Sequence, residues 1–213
     1  MVTAKELFYE KRGKQLVKNL QSRHFDACYC ADRDAALKMA LEWIPEQSLV
    51  GWGGTITAQQ IGLLDAVRQG NYRCIDRNNA KTPEEKKQAE IDCLFCDTFI
   101  TSANAMSLDG QMVNIDGIGN RLAAITYGPK NVLVVVGMNK VMDTVQDAVK
   151  RARTIAAPQN QQRFPQNNTP CSVTGSCSDC KSQCSICNEI LITRLCKPAG
   201  RIRFIVIGED LGL

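Results

Sequence analysis

Residues 48–76, SLVGWGGTITAQQIGLLDAVRQGNYRCID, decide the fold. SLVGW (48–52) is a short apolar run closed by glycine, which reads as a buried strand. TAQQIGLLDAVRQ (57–69) carries Ile61, Leu64 and Val67 on one helical face, and YRCID (72–76) returns to a strand. Two strands joined through a helix make a βαβ unit, whose strands run parallel.

The same alternation extends in both directions. FDACYC (25–30) reads as a strand and DRDAALKMALEWI (32–44) as a helix; Thr82 and Pro83 open another helix. TFITS (98–102), QMVNI (111–115) and NVLVVVG (131–137) are further strands, and VMDTVQDAVKRARTI (141–155) is a helix. The expected fold is α/β, a mainly parallel sheet sandwiched by helices. Thr3 and Glu6 form a capping box ahead of Leu7, Phe8, Leu16, Val17 and Leu20, predicting an amphipathic helix over 3–23. A chain of 213 residues then makes one domain with its core over 25–155. A Gln, Asn and Pro rich linker spans 156–170, followed by a Cys-rich insertion over 171–188. ILITRL (190–195) and RIRFIVI (201–207) alternate like a strand hairpin around KPAG.

Charge and hydropathy exclude several classes. A net charge of +4 with 6% aromatic residues gives little support for nucleic-acid binding, and Lys11, Arg12 and Lys14 read as a solvated helix face. The apolar run at 132–138 is far short of the roughly 20 residues that cross a bilayer. The first residues carry charges where a signal peptide needs an apolar stretch. The expectation is a cytoplasmic, reducing setting without membrane association, where clustered cysteines favour metal or redox chemistry over disulfides.

Two glycine-rich segments are candidate ligand sites. Gly51, Gly53, Gly54 and Thr55 leave a strand and enter a helix, a place where backbone N–H groups can face phosphate or carboxylate, with a tight turn alone as the lesser reading. The spacing fits neither the dinucleotide fingerprint nor the P-loop. Asn114, Asp116, Asn120 and Arg121 concentrate polar groups between a strand and a helix. There Arg121 can clamp an anion and Asp116 can orient it or move a proton, or the residues simply cap the helix. Ser102 and Asn104, past another strand, could line the same crevice. The ligand expected is a small carboxylate or phosphate-bearing molecule. His24 is the one histidine, at the end of the first helix, which leaves little room for a histidine-based triad or zinc site.

Cys171, Cys177, Cys180, Cys184 and Cys187 fall within 17 residues, with Cys196 beyond. Cys-x2-Cys lets two thiolates reach one metal centre, and three residues between the two pairs are too few for a zinc ribbon. The compact spacing favours an iron–sulfur cluster, of the 4Fe–4S type, with zinc as the alternative; five cysteines for four positions leave one spare. Cys28, Cys30, Cys74, Cys93 and Cys96 sit among apolar neighbours and read as core residues, the Cys93–Cys96 spacing leaving a redox pair as the lesser reading.

VGWGGT (50–55), NYRCIDR (71–77), TPEE (82–85), TSANAMSLDGQMVNIDGIGNR (101–121), GPKNVLVVVGMNK (128–140), TGSCSDCKS (174–182) and GRIRFIVIGEDLG (200–212) occur as an ordered set that resembles the LUD-domain family, named for lactate utilisation. The resemblance implies a fold of the NagB/RpiA/CoA-transferase type. It also implies a link to multi-component iron–sulfur systems that oxidise L-lactate to pyruvate, with other such subunits as partners, and a homodimer at the level of the fold. The chain lacks a pair of bacterial ferredoxin motifs and a flavin fingerprint, so the resemblance supports an accessory or electron-transfer subunit and leaves catalysis by this chain alone open. The alternatives are a scaffold with a structural zinc knob and a transferase or hydrolase acting on a CoA or sugar-phosphate type ligand. No glutamate stands beside the glycine loop as CoA transfer requires, because Glu84, Glu85 and Glu90 read as a charged helix face.

Overall fold

The computed structural model describes residues 2–213. Helix α1 (Ala4–Ser22) opens with the expected capping box: Thr3 Oγ1 accepts from the Glu6 N–H and the Glu6 carboxylate accepts from the Thr3 N–H. It closes with His24 at φ 66°, the Phe25 N–H donating to the Leu20 carbonyl and the His24 N–H to that of Gln21. This Schellman closure turns Phe25 inward, edge-on to Phe204 at 5.2 Å between ring centroids.

Strand β1 (Asp26–Cys30), helix α2 (Arg33–Trp43) and strand β2 (Leu49–Trp52) follow. The single helix expected over 57–69 is instead two, α3 (Ile56–Gln60) and α4 (Leu63–Gln69). Gly62 divides them at φ 74°, a left-handed conformation that a helix cannot continue through and that glycine enters without steric cost. Ile61, Leu64 and Val67 are buried nonetheless. Next come β3 (Arg73–Ile75), α5 (Pro83–Asp92) capped by Thr82, β4 (Thr98–Thr101), β5 (Ala105–Ser107), β6 (Met112–Asp116), α6 (Asn120–Thr126) and β7 (Asn131–Gly137).

The helix expected over 141–155 starts later and ends later. Val141 and Met142 form strand β8, Thr144 caps α7 (Val145–Arg151), and a π-helical turn (Ala152–Ala156) leads into α8 (Ala157–Gln161). Ala148, Ala152 and Ala156 keep one buried face through the turn, so helix continues where a linker was expected. Pro158 lacks the N–H that an uninterrupted α-helix would bond to residue 154, which accounts for the π-turn at this point. A short helix α9 (Pro170–Thr174) and strands β9 (Glu189–Thr193) and β10 (Ile202–Ile207) complete the elements.

Six strands form a parallel sheet in the order β1-β10-β7-β4-β2-β3. Its centre, β7, explains why NVLVVVG is apolar throughout: both faces are covered. Val132, Val134 and Val136 pack with Leu16, Leu20 and Phe204 under α1, while Leu133 and Val135 pack with Ala36, Ala40, Leu63 and Val67 under α2 and α4. The sandwich of helices on a parallel sheet is therefore as the sequence implied. A second sheet, β8-β5-β6-β9, lies against α7 through Ala105, Val113, Ile115, Ala148 and Ala152.

The two C-terminal strands do not form a hairpin. β9 pairs antiparallel with β6 at the edge of the second sheet, and β10 lies between β1 and β7 in the first. Burial separates them: residues 204–207 are buried on both faces, as a central parallel strand must be, whereas Ile190 and Ile192 are exposed on an edge. Cys30, Cys93 and Cys96 are core residues and Cys28 is half-buried, but Cys74 is exposed because β3 is the last strand of its sheet. No helix among the described residues is long and apolar enough to cross a membrane.

Candidate functional site

In a parallel sheet every strand ends on the same edge, so the segments leaving β2, β4 and β7 gather there. Together with residues 115–121 after β6 they line a crevice of about 610 Å³. Gly54, Thr55, Ser102, Asn104, Asp116, Asn120 and Arg121 all reach it. The sequence had suggested these residues from separate stretches, and the fold brings them together.

Arg121 is the best-held side chain. Its Nη2 donates to Asn104 Oδ1 at 3.0 Å and to the Ile115 carbonyl at 2.5 Å, and its Nε lies 3.6 Å from Asp116 Oδ1. Asp116 also accepts from the Arg121 backbone N–H at 3.0 Å, so this carboxylate fixes the arginine and its own helix turn at once. The Arg121 stem crosses the glycine loop so closely that a Cβ at Gly53 would stand 3.1 Å from its Cγ and Cδ. That explains Gly53, whose N–H is already given to the Ile100 carbonyl at 3.1 Å and faces no ligand.

A second guanidinium stands across the loop. Arg77 donates to Glu90 at 3.0 Å, and its Nη2 would be 3.5 Å from a Cβ at Gly54. Burial works against the charge on Arg121, Asp116 supports it, and Arg77 opposes it again. Lys86, Arg163 and Lys140 also line the crevice, where the acidic side chains are Glu90 and Asp116. The crevice holds more fixed positive charge than negative.

Lys140 lies at its floor, 3% exposed. Its Nζ donates to Thr57 Oγ1 at 3.1 Å, Ser102 Oγ at 3.3 Å and the Ala103 carbonyl at 3.3 Å. Burial, then Arg151 and Arg121, push its pKa down to about 7.

The remaining expected residues have other places. Gly51 lies within β2, covered by Cys93 and Cys96, whose thiols burial pushes up to about 11 and about 12. Both are neutral near pH 7, which suits packing better than redox exchange. Thr55 Oγ1 caps α3 by accepting from the Ala58 N–H at 3.2 Å. With five residues, α3 adds little dipole, so the cations rather than a helix end set the field. Asn114 is wholly buried behind the wall, where its Nδ2 donates to the Ser102 carbonyl at 2.9 Å and its Oδ1 has no partner among the described residues.

The cysteine segment is tied to the domain: the Asn188 N–H donates to the Asp116 carbonyl at 2.9 Å and its Nδ2 to the Gly117 carbonyl at 2.7 Å. Cys171, Cys177, Cys180 and Cys187 line one cavity of about 230 Å³, with Arg153 and Asp179 paired at its edge. Burial pushes the Cys187 thiol up to about 11, and the thiols at 171, 177 and 180 raise it further. Cys184 lines the cation-rich crevice instead, and Cys196 is a core residue. Ile115 and Ser185 line both spaces. Among the described residues no three His, Cys, Asp or Glu side chains are grouped closely enough to hold a single metal ion.

Sequence reasoning missed Arg77, Glu90 and Lys140. Glu90 sits on α5, as expected, yet pairs with Arg77 inside the crevice. A usable signal existed for Lys140, since it follows the end of the strongest strand by three residues, at the edge where parallel sheets bind ligands.

Comparison with known proteins adds the family. A family model described as the LUD domain matches residues 13–207. No curated protein matches the sequence significantly. A DUF162-family protein from Deinococcus radiodurans is similar in structure, at 10% identity over 93% of this chain and 97% of that one, with a TM-score of 0.54, a likeness of fold alone. Ribose 5-phosphate isomerase A from Neisseria gonorrhoeae matches 53% of each chain at 18% identity and a TM-score of 0.34, too partial to carry an argument.

Proposed function

The chain belongs to the LUD-domain family, associated with lactate utilisation, and from that premise we propose that it joins an anion site to a redox centre. The crevice binds a small carboxylate or phosphate-bearing ligand, and the cysteine cavity holds an iron–sulfur cluster. The chain serves as an accessory or electron-transfer subunit beside other lactate-utilisation subunits in a reducing cytoplasm. The observation that supports this most is adjacency: Ile115 and Ser185 wall both the cation-rich crevice and the four-cysteine cavity.

Arg77 and Arg121 repel each other across the glycine loop, and an anion between them relieves that repulsion while accepting paired N–H groups. Asp116 and Asn104 hold Arg121 in place, and Asn120, Gly54 and Thr55 supply the polar rim. Cys171, Cys177, Cys180 and Cys187 are the four ligands, and Cys184 is the spare. Zinc held by the same four thiolates is the alternative. Four thiols around a cavity suit a cluster, which spreads its ligands around several metal atoms and supplies one-electron capacity when bound. Arg153 at the cavity edge offsets part of the negative charge.

Anaerobic purification followed by iron, sulfide and zinc analysis tests the reading. Iron with sulfide and a broad visible absorption is expected, kept in C184S and lost in C187S. Zinc at one equivalent, or no metal, would overturn it. A transferase or hydrolase acting on a CoA or sugar-phosphate type ligand is the second reading, favoured by the contact of Arg121 with Gly53. Turnover of such a ligand by metal-free protein would select it.

A further inference from the structure

Lys140 lies 97% out of solvent with no carboxylate paired to it among the described residues. A lysine used only to bind charge is ordinarily left hydrated or paired with an acid, because burying an unpaired ammonium is costly. Among the described residues its Nζ hydrogen-bonds to neutral oxygens, the hydroxyls of Thr57 and Ser102 and the Ala103 carbonyl. Behind it Arg151 donates to the Asn104 carbonyl at 2.6 Å, the Asn139 carbonyl at 3.2 Å and a Leu213 oxygen at 3.4 Å, adding a second buried cation. Burial and neighbouring cations are the two means by which a lysine amine is kept neutral and nucleophilic.

We propose that Lys140 forms an imine with the carbonyl of a small carboxylate ligand, a 2-oxo acid or an aldehyde acid, bound in the crevice. The inference rests on reading the crevice as an anion site. It adds the reason one end of the ligand must be a carbonyl. The ligand carboxylate pairs with Arg121 and Arg77 at the glycine loop, which turns the carbonyl carbon toward the floor. The Nζ lone pair attacks that carbon. The amine proton passes to the carbonyl oxygen to give a carbinolamine, and loss of that oxygen as water forms the C=N bond. Ser102 Oγ, 3.3 Å from Nζ, can carry the proton in both steps. No oxidant or further co-reactant is needed, and water reverses the reaction.

The test incubates the whole protein with pyruvate, glyoxylate or L-lactate, each with and without cyanoborohydride, and follows binding by calorimetry and covalent mass by intact-protein and peptide spectrometry. Pyruvate and glyoxylate should each leave one reduced adduct on the peptide containing Lys140, and L-lactate, which has no ketone or aldehyde carbonyl, should bind and leave none. K140M should take up no adduct while keeping its circular dichroism. The wild-type adduct position is itself decisive if that variant fails to fold. Binding of pyruvate without an adduct at Lys140 would overturn the imine and leave the anion site standing. Absence of binding by all three acids would overturn both.

Discussion

Arg121 and Lys140 occupy one crevice and meet opposite fates. Arg121 has Asp116, Asn104 and a backbone carbonyl, so its charge is supported where it is buried. Lys140 has only hydroxyl and carbonyl oxygens, so its charge is not. G53A tests the first: the added methyl must push the Arg121 stem away, so anion affinity should fall about tenfold or more, roughly 1.4 kcal/mol, with the fold retained, as measured by calorimetry. Unchanged affinity would remove Arg121 from the binding site. For Lys140 the sign follows from a folded pKa of about 7, below the unfolded value of roughly 10.4. Between those values the unfolded chain binds the extra proton, so the lysine makes the fold increasingly stable as pH rises from 7 toward 10. The stability of wild type relative to K140M should therefore climb over that window, measured by denaturant titration at several pH values. A flat difference would mean that Lys140 stays charged. The charged groups acting on Lys140 are Arg151 and Arg121, and neither titrates in this range.

At the scale of elements, glycine and proline set the boundaries the sequence left blurred. Gly62 ends α3 in the left-handed region, so G62A should cost roughly 1–2 kcal/mol and lower the melting temperature by several degrees. A smaller loss would show that α3 and α4 can merge. The pattern of apolar residues alone made 57–69 one helix because Ile61, Leu64 and Val67 are buried on either side of the break. Strands with both faces buried were legible from their composition, as in β7. Pairing was not: β9 and β10 are neighbours in sequence, yet the two-sided burial of 204–207 sends β10 between β1 and β7 while β9 closes the other sheet. Periodicity reports how a strand is buried, and its partner is chosen by the rest of the molecule. The same limit hid the second sheet, whose β5 and β8 have only three and two residues.

For the whole molecule, parallel strands deliver Gly54, Ser102, Asn104 and Lys140 to one edge, and the helix through the π-turn to Gln161 carries the cysteine segment to the same side. The sequence made the crevice residues visible as polar clusters near strand ends, since glycine, asparagine and arginine stand out there. It did not show that Glu90 and Arg77 face that crevice, because a charged residue on a charged helix gives no sign of its direction. Nor did spacing choose among the five clustered cysteines; their separation into four around one cavity and Cys184 in the crevice is a matter of chain path. On the proposed function, the anion site and the cluster share the wall formed by Ile115 and Ser185. Electron paramagnetic resonance of dithionite-reduced protein, recorded with and without phosphate or L-lactate, reports on that shared wall. A cluster signal is expected whose g values shift on adding the anion in wild type and stay fixed in R121M. A cluster signal indifferent to every anion, or no iron signal from anaerobically prepared protein, would contradict it.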